Sequence, residues 1–336
     1  MTGRRVALHA GALLSVLLVA TACGGGGSGT PPRASVPGAT SAATTSAPRS
    51  GVTVDVATWK LSAPVANEIL VADGSRLTIL GGLDAAKTST NAIVRVDVAK
   101  GTSQPAGTLA EAVHDAAGVS VGNDTLVLGG GTSESGTPDA QLVRPNGTTS
   151  VAGRMPQPRS DLVAAAVAGK VYVLGGYDGT NIVGEVLATT DGTSFTDVGV
   201  LPVPVRYPAL AVVGTAIYLF GGVASTSGTD TPDIQRVDTT TGRIEVVGRL
   251  PTTLSHASAV ILDNAVYLLG GYVDNTQLTD QVLRFDPRTG ATTVVGRLPE
   301  PNSDAAAAVV DGRGYLVGGK STPREPLATV TILSPT

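Results

Sequence analysis

The sequence predicts an all-β protein, a six-bladed β-propeller whose blades are four-stranded antiparallel sheets. The main observation is a glycine doublet that recurs every 46 to 49 residues, starting at Gly81, Gly129, Gly175, Gly221, Gly270 and Gly318. Each doublet ends a segment of 24 residues that aligns with the other five without gaps. With 43 glycines among 336 residues the chain is too rich in glycine for a helical protein, and its 42% hydrophobic residues suffice for a large core. Six repeats of this length are typical of a propeller.

The fifth copy shows how one blade is predicted. Ala257–Leu262 is an apolar run, and a turn at Asp263-Asn264 joins it to Val266–Leu269, which ends at the doublet. Two apolar runs separated by a short polar turn predict a β-hairpin. Gln281–Asp286 and Ala291–Gly296 follow as the third and fourth strands. A sheet of this kind can bury both faces only between neighbouring blades.

The ends of the repeat array predict how the ring closes. The sixth copy contains a third strand, Leu327–Leu333, but no fourth. The segment Val52–Leu61 precedes the first doublet and carries Trp59, where the other copies have their fourth strand. We therefore predict that Val52–Leu61 pairs beside Leu327–Leu333 and completes the last blade, which removes a free sheet edge. Alanine-rich first strands such as Val163–Val167 are expected to line the axis, where large side chains would collide.

Residues 1–22 are predicted to be a lipoprotein signal peptide. An Arg4-Arg5 pair precedes an apolar run at Val6–Val19, which is too short for a comfortable membrane span. The segment Ala20–Cys23 resembles a bacterial lipobox, and the resemblance implies that Cys23 is diacylated and becomes the first residue of the mature protein. Two alternatives stay open: an ordinary cleavable signal with an incidental cysteine, and twin-arginine export in place of the general secretion route.

Residues 23–51 are predicted to tether a separate globular body. After Cys23 the chain continues with Gly24–Gly27 and then a mixture of Thr, Pro, Ala and Ser with almost no large apolar residue. Such a composition cannot bury a core, so a disordered linker is expected. About 28 flexible residues have a reach of roughly 30 Å. The sequence therefore predicts a propeller at residues 52–336, held on the extracytoplasmic side of the cell membrane by the lipid on Cys23.

Composition and residue types exclude several classes of function. A net charge of −4 argues against a nucleic-acid partner, which would require clustered Lys and Arg. Cys23 is the only cysteine, so neither an intrachain disulfide nor a cysteine-based copper site is expected in the propeller. A zinc site takes about four ligands, and His114 and His256 are the only histidines after the leader. No metal, cofactor or catalytic triad is predicted, and the protein is expected to be a monomer.

The residues before the doublets resemble the kelch repeat. Val171–Leu174, Ile217–Phe220 and Val266–Leu269 each carry a tyrosine and are directly followed by Gly-Gly. Phe285-Asp286 partly matches the Tyr-Asp pair of a kelch third strand, whereas Val294 stands where kelch repeats carry Trp. The resemblance covers Gly51 to the C-terminus. It implies a propeller that binds ligands on the rim around its central channel.

Polar residues recur at two neighbouring positions of the aligned segment, where the first strand begins. Antiparallel pairing places the loop before the first strand and the loop after the second on one rim, so these residues are expected to surround the channel mouth. Position nine holds Asn67, Asp115, Asp161, Tyr207, His256 and Asp304. Position eight holds Ala66, His114, Ser160, Arg206, Ser255 and Ser303. The predicted rim also includes Arg159, Tyr177 and Tyr272.

The favoured hypothesis is a non-catalytic binding or scaffold lipoprotein of the bacterial cell envelope that contacts an envelope protein or a glycan through this rim. In this hypothesis the aspartates accept hydrogen bonds, the arginines clamp anions or hydroxyls, and Tyr207 stacks on the ligand. A competing interpretation is that the same residues cap strand ends around a solvated hole. The alternative function, implied by the resemblance to secreted bacterial kelch mutarotases, is a sugar-processing enzyme. Its acid/base candidates are His114, His256, Arg159 and Arg206.

Overall fold

Six antiparallel sheets, each of four strands, form the fold. The computed structural model describes residues 51–322 and 325–336. The predicted signal peptide, the predicted acylation site at Cys23 and the predicted linker up to residue 50 lie outside these residues. No helix in the described part of the chain is long and apolar enough to cross a membrane. The predicted all-β class and the six four-stranded blades are confirmed.

The blades are numbered 1 to 6 along the chain, and in blades 1 to 5 the four strands pair with one another in sequence order. The first strands are Ile69–Asp73, Ala117–Val121, Val163–Val167, Ala209–Val213, Ser258–Leu262 and Ala306–Val310. The second strands are Arg76–Leu80, Asp124–Leu128, Lys170–Leu174, Ala216–Phe220, Ala265–Leu269 and Arg313–Val317. The third strands are Ala92–Asp97, Asp139–Val143, Glu185–Thr189, Asp233–Asp238, Gln281–Phe285 and Val330–Pro335. The fourth strands are Thr102–Thr108, Thr149–Arg154, Thr196–Val200, Ile244–Arg249, Thr292–Arg297 and, in blade 6, Val52–Val56.

Two short hairpins extend the loops that follow the doublets of blades 5 and 6. The first pairs Tyr272–Val273 with Gln277–Leu278, and the second pairs Lys320–Thr322 with Glu325–Pro326. Both hairpins lie on the rim where the first strands begin, because Tyr272 and Lys320 bridge to the residues just before those strands. They therefore extend this rim of the propeller at blades 5 and 6.

The first strands stand around a common axis. Each contacts the first strand of the next blade, and the first strand of blade 6 contacts that of blade 1, so the circle is closed. Alanine runs form the middle of these strands in blades 3 and 6, at residues 164–166 and 306–308. Small side chains allow six strands to converge without collision. The strands predicted to be innermost from their alanine content are therefore the ones that line the axis.

The glycine doublets hold each blade against the next one. The first glycine of each doublet has a φ of 60° to 64°, and a Cβ at Gly175 would lie 2.3 Å from the carbonyl oxygen of Val205 in the next copy. At Gly221 a Cβ would lie 2.0 Å from the carbonyl of Leu254. Only glycine fits both the conformation and the close approach. The second glycine donates its N–H to the same carbonyl, as Gly176 does to Val205 at 2.9 Å. The doublet is thus a contact between blades.

Apolar side chains fill the space between neighbouring blades. Tyr218 and Phe220 of blade 4, for example, pack against Phe285 of blade 5, with ring centroids 5.6 and 4.9 Å apart. An isolated four-stranded sheet exposes both of its faces to water, whereas a blade in a closed circle buries both of them. Packing between blades is therefore the main source of hydrophobic stabilisation in this chain.

Blade 6 is built from both ends of the propeller. Val52–Val56 pairs antiparallel with Val330–Pro335, and Val54 lies opposite Leu333. The carbonyl of Gly51 accepts the N–H of Thr336 at 3.1 Å. The fourth strand of this blade thus comes from the start of the propeller and its other three strands come from the end.

The two strands of this junction differ in extent from the predicted Val52–Leu61 and Leu327–Leu333. The N-terminal strand ends at Val56, and Trp59 follows it in a bend instead of lying within the strand. The indole packs on the turn of blade 1 at Gly101, where a Cβ would come within 2.4 Å of the ring. Trp59 therefore connects blade 6 to blade 1, which a strand residue confined to one sheet would not do.

We expect Val54→Asp to lower the free energy of unfolding by about 1–3 kcal/mol, because it buries a carboxylate between blades 5 and 6. Val54 packs against the apolar cluster that joins these blades. Val56→Asp in the same strand is the matched control, since Val56 is 47% exposed. The control should change stability by less than about 0.5 kcal/mol. Chemical denaturation measures both variants, and equal stabilities would contradict a role of this strand in securing blade 6.

Candidate functional site

A closed circle of six backbone hydrogen bonds surrounds one end of the axis. It joins the residues at position nine of the six copies, and each N–H donates to the carbonyl of the corresponding residue in the preceding blade over 2.8 to 3.1 Å. The members, called the polar ring below, are Asn67, Asp115, Asp161, Tyr207, His256 and Asp304. The structure places all six at the channel mouth, where the sequence predicts them.

All six residues of the polar ring adopt the left-handed backbone conformation, with φ between 52° and 60°. Asn, Asp and His are the non-glycine residues found most often in this region, whereas it is less favourable for Tyr207. Residues held in such conformations concentrate at binding and catalytic sites, because the surrounding structure must enforce them. The side chains of the polar ring therefore point into the mouth, and this placement requires a strained backbone at each of the six residues.

The side chains of the polar ring also bond one another across the mouth. Asn67 Nδ2 donates to Oδ1 of Asp115 at 2.6 Å and to Oδ1 of Asp304 at 3.3 Å. His256 Nδ1 lies 2.6 Å from the same Asp304 oxygen. Tyr207 donates its hydroxyl to Oδ2 of Asp115 at 3.1 Å. Side chains from five blades thus form a single hydrogen-bonded network.

Aromatic rings form one wall of the mouth. Tyr207 and His256 stack with centroids 3.8 Å apart, and Tyr272 meets His256 edge-on at 5.4 Å. The guanidinium of Arg206 lies 5.0 Å from the ring centroid of Tyr177 and 5.7 Å from that of Tyr207, within cation–π distance. The mouth therefore offers a partly apolar surface directly beside its carboxylates.

Two cavities meet at the polar ring. The outer cavity has a volume of about 370 Å³ and the inner one about 160 Å³. Both are lined by the same five ring residues, Asn67, Asp115, Tyr207, His256 and Asp304. The outer cavity is completed by loop residues that include His114, Tyr272, Asn275 and Lys320. Its volume lies within the range of about 300–1,000 Å³ that is common for small-molecule sites.

The carboxyl groups of the polar ring differ in pKa. Burial opposes ionisation of Asp304, but the hydrogen-bonded His256 and the nearby Lys320 ammonium bring its pKa down to about 2. Burial and the negative charges of Asp161 and Asp304 raise the pKa of Asp115 to about 7. Asp304 is therefore an ionised acceptor for the Nδ1 proton of His256. Asp115 is partly protonated at neutral pH.

Glu68 is a buried acid directly after the polar ring in sequence, and it lines the inner cavity. Its Oε1 accepts the N–H of Ala306 at 3.2 Å, while its Oε2 is buried without a hydrogen-bond partner among the described residues. Burial, together with the charge of Asp304, raises the pKa of Glu68 to about 8. At neutral pH Glu68 thus carries a proton on the floor of the site.

Two cations flank the polar ring. Arg206 NH1 pairs with Oδ2 of Asp161 at 3.3 Å, and Lys320 Nζ pairs with Oδ2 of Asp304 at 3.4 Å. Each cation therefore neutralises one ring carboxylate. Both remain partly exposed, with side-chain exposures of 25% and 16%, so their remaining N–H groups can reach a ligand.

His114 stands at the edge of the outer cavity. Its Nδ1 is 2.8 Å from the hydroxyl oxygen of Ser89, and its Nε2 is 3.8 Å from Oδ2 of Asp115. Burial is the largest influence on this ring and lowers the pKa of His114. A neutral imidazole is therefore favoured, which suits a hydrogen-bonding role better than a charged one.

The prediction that Arg159 lies at the rim is wrong. Its side chain is 1% exposed, and its NH1 donates to the carbonyls of Glu185 at 2.9 Å and Gly175 at 3.5 Å inside blade 3. Arg159 occupies position seven of the aligned segment, where four other copies bury an apolar residue, namely Val65, Val113, Val205 and Leu254. The guanidinium therefore ties strand ends together within the blade and does not face the mouth.

Sequence analysis missed Glu68 and Lys320. Glu68 stands at position ten, where the other copies have Ala116, Leu162, Pro208, Ala257 and Ala305. An acid at an otherwise apolar position was the available signal. Lys320 follows the last doublet, at the position that Tyr177 and Tyr272 hold in other copies, and it bridges to position eight through Ser303. The repeat alignment therefore contained both signals.

We expect the free energy of unfolding to fall as pH rises from about 5 to 8. In this interval folded Glu68 holds a proton that the unfolded chain has released, so stability falls by up to about 1.4 kcal/mol per pH unit for that proton. Glu68→Gln should reduce the slope and raise stability at pH 8, as measured by denaturation at several pH values. Glu134→Gln, which removes an exposed loop carboxyl, is the control and should keep the wild-type slope. Equal slopes for Glu68→Gln and the wild type would exclude a buried, protonated Glu68.

Comparison with known proteins agrees with the kelch resemblance. The family described as Kelch motif matches residues 158–188 and 253–291, which fall in blades 3 and 5. Among solved structures, "Structure of YjhT" matches with a TM-score of 0.71 and 14% sequence identity, and the match covers 82% of this chain and 96% of that chain. Such an identity shows a shared fold alone. No curated protein matches the chain in sequence. The chain is a six-bladed β-propeller that contains two kelch motifs, and both findings support the kelch-repeat propeller family.

Proposed function

We propose that the protein is a non-catalytic binding lipoprotein of the bacterial cell envelope, and that the polar ring and outer cavity bind a glycan. The observation that carries this proposal is the convergence of six strained ring residues on one mutually bonded polar surface. Strand ends can be capped in each blade separately, without side chains that bond across the axis. Convergence of this kind is expected when the side chains act together on a ligand.

The chemistry of the outer cavity suits an uncharged ligand rich in hydroxyl groups. Asp304 and Asp115 supply acceptor oxygens, and Lys320 supplies N–H donors within the same cavity. The charges of the mouth largely compensate one another in pairs. The mouth therefore favours neither a strongly anionic nor a strongly cationic ligand. Tyr272 lines the cavity and provides a face for the apolar side of a sugar ring.

The arrangement of basic groups favours binding over catalysis. Of the four residues predicted for acid/base work, Arg159 is buried within blade 3 and His114 is engaged by Ser89. His256 remains in the mouth, with one nitrogen bonded to Asp304 and its ring stacked on Tyr207. The predicted catalytic set is therefore not assembled as a unit.

A sugar-processing enzyme is the second candidate, and one observation favours it. The 2.6 Å contact between His256 and Asp304 lies close to Asp115, whose pKa is raised to about 7 while that of Asp304 is about 2. Neighbouring carboxyl groups with separated pKa values are typical of acid/base pairs. The resemblance to secreted kelch mutarotases implies a use for such a pair at the anomeric centre of a sugar.

We expect the protein to bind uncharged mono- or disaccharides and Tyr272→Ala to weaken the binding about tenfold, because it removes a stacking surface. Isothermal titration calorimetry with a panel of such sugars measures the change. Thr180→Ala is the control, since Thr180 is exposed on the loop after the doublet of blade 3 and is outside the outer cavity. The control should bind within about twofold of the wild type.

Two results would overturn this proposal. If no sugar of the panel binds, or if Tyr272→Ala binds as the wild type does, the mouth is not a glycan site and a protein partner becomes the leading alternative. If the protein interconverts sugar anomers and His256→Gln abolishes that turnover, the enzyme is the correct function. Anomer exchange is measured by nuclear magnetic resonance on the same panel.

We expect Cys23→Ser to move the protein from the membrane fraction to the soluble fraction, because serine offers no thiol for acylation. Cell fractionation and labelling with a radioactive fatty acid measure the effect. Ser28→Ala in the predicted linker is the control and should stay with the membrane and keep its label. Membrane retention of Cys23→Ser would contradict the lipid anchor without affecting the proposal for the mouth.

A further inference from the structure

One residue of blade 1 departs from the pattern of the other blades in the middle of the second strand. Four blades carry a tyrosine there, Tyr172, Tyr218, Tyr267 and Tyr315, and each tyrosine is buried against the next blade. Blade 2 has Leu126, which is also buried. Blade 1 has Thr78. The contact between blades 1 and 2 therefore lacks the large side chain that fills the other contacts.

A cavity of about 390 Å³ occupies this place between blades 1 and 2. Thr78 lines it from blade 1, and Thr125 lines it from blade 2 at a position where blades 3, 4 and 5 bury Val171, Ile217 and Val266. The hairpin turns at residues 74 and 122 line its opening, so it faces the rim away from the polar ring. Apolar residues such as Leu80 and Ile93 form its inner wall. It is thus a second pocket, separate from the mouth.

Arg95 places an uncompensated charge in this cavity. It lies directly opposite Thr78 in the sheet, and the partner on its other side is Gln104. Its guanidinium donates to the carbonyl of Pro145 and has no carboxylate within ion-pair distance among the described residues. Asp97, the nearest acid along its own strand, pairs instead with Lys100 at 2.9 Å.

Blade 4 shows how the same arrangement is completed elsewhere in the molecule. Arg236 holds the position of Arg95 and lies opposite Tyr218, whose ring fills the space between the blades. Arg236 is neutralised by Asp238 at 2.7 Å and by Glu245 at 3.6 Å. Compared with this blade, blade 1 lacks the aromatic ring. It also has Gln104 in the place of Glu245, and Asp97, which corresponds to Asp238, pairs with Lys100 and not with the arginine.

We propose that the cavity between blades 1 and 2 binds a small aromatic carboxylate. The ring of the ligand takes the place that tyrosine occupies in four other blades, against Leu80 and Ile93. Its carboxylate pairs with Arg95, and the hydroxyls of Thr78 and Thr125 on the same walls are further hydrogen-bond groups. Asp73, Asp124 and a second arginine, Arg144, also line the cavity. The charges of the two arginines and the two aspartates sum to zero, which favours a ligand with a single negative charge over a dianion. This site is independent of the function proposed for the mouth.

The test compares two probes that differ only in the charged group. 4-Methylbenzoate carries a carboxylate where a tyrosine has its hydroxyl, and p-cresol reproduces the tyrosine side chain itself. Isothermal titration calorimetry on the propeller should show binding of 4-methylbenzoate at least about tenfold tighter than of p-cresol, because only the first forms a charge-assisted pair with Arg95.

Two variants locate the site. Thr78→Tyr should abolish the binding of both probes and raise the melting temperature, because it restores the side chain of the other blades. Arg95→Gln should weaken 4-methylbenzoate about tenfold or more and leave p-cresol within about threefold. Arg313→Gln removes a charge from an exposed residue of blade 6 and should leave both affinities unchanged.

Three outcomes would overturn the proposal. These are no binding of 4-methylbenzoate at millimolar concentration, equal affinity of the two probes, and retention of binding by a folded Thr78→Tyr protein. If Thr78→Tyr does not fold, Arg95→Gln decides, since loss of affinity confined to the carboxylate probe supports the site and an unchanged affinity refutes it.

Discussion

The mouth of the propeller depends on one closed circle of backbone hydrogen bonds. Each of its six residues donates its N–H to one neighbour and accepts a hydrogen bond from the other, so these main-chain groups are satisfied within the circle. The circle forms only because the blades return to their starting point. The small side chains along the axis and the contacts of the glycine doublets bring the blades close enough for this return. A distortion in one blade therefore reaches the mouth through shared bonds.

The same circle determines the chemistry of the mouth. It brings three aspartates together near one axis, where their mutual repulsion and burial oppose simultaneous ionisation. The carboxyl groups therefore differ in ionisation. His256 and Lys320 stabilise the charge of Asp304, whereas Asp115 gains a proton near neutral pH. The side chains that define the site thus extend from the backbone atoms that hold the blades together. Binding at the mouth and cohesion of the propeller are expected to depend on each other.

Most of the fold could be predicted from the sequence because the residues that recur in each copy are those that the backbone conformation requires. Glycine is needed where blades approach each other, and position nine follows at a fixed distance, so the blades and the polar ring could be placed. In blade 5 the predicted strands differ from the observed ones by one residue at their ends. Side-chain direction could not be predicted for single departures from the repeat. Arg159 turned into its blade and Glu68 turned towards the channel, because burial and local partners, not spacing, decide where an isolated polar side chain lies.

The junction in blade 6 has a consequence for the maturation of the newly made chain. Thr53 and Ser334, which meet in this sheet, are 281 residues apart in sequence. A ribosome delivers the early strand long before its partner. Contacts between residues that are so far apart in sequence form slowly. Until Val330–Pro335 is available, the nascent molecule is an open arc with an exposed edge that other chains can join. Chaperones that meet the protein before that moment therefore handle an incomplete circle, and the synthesis of Val330–Pro335 decides when the circle can close.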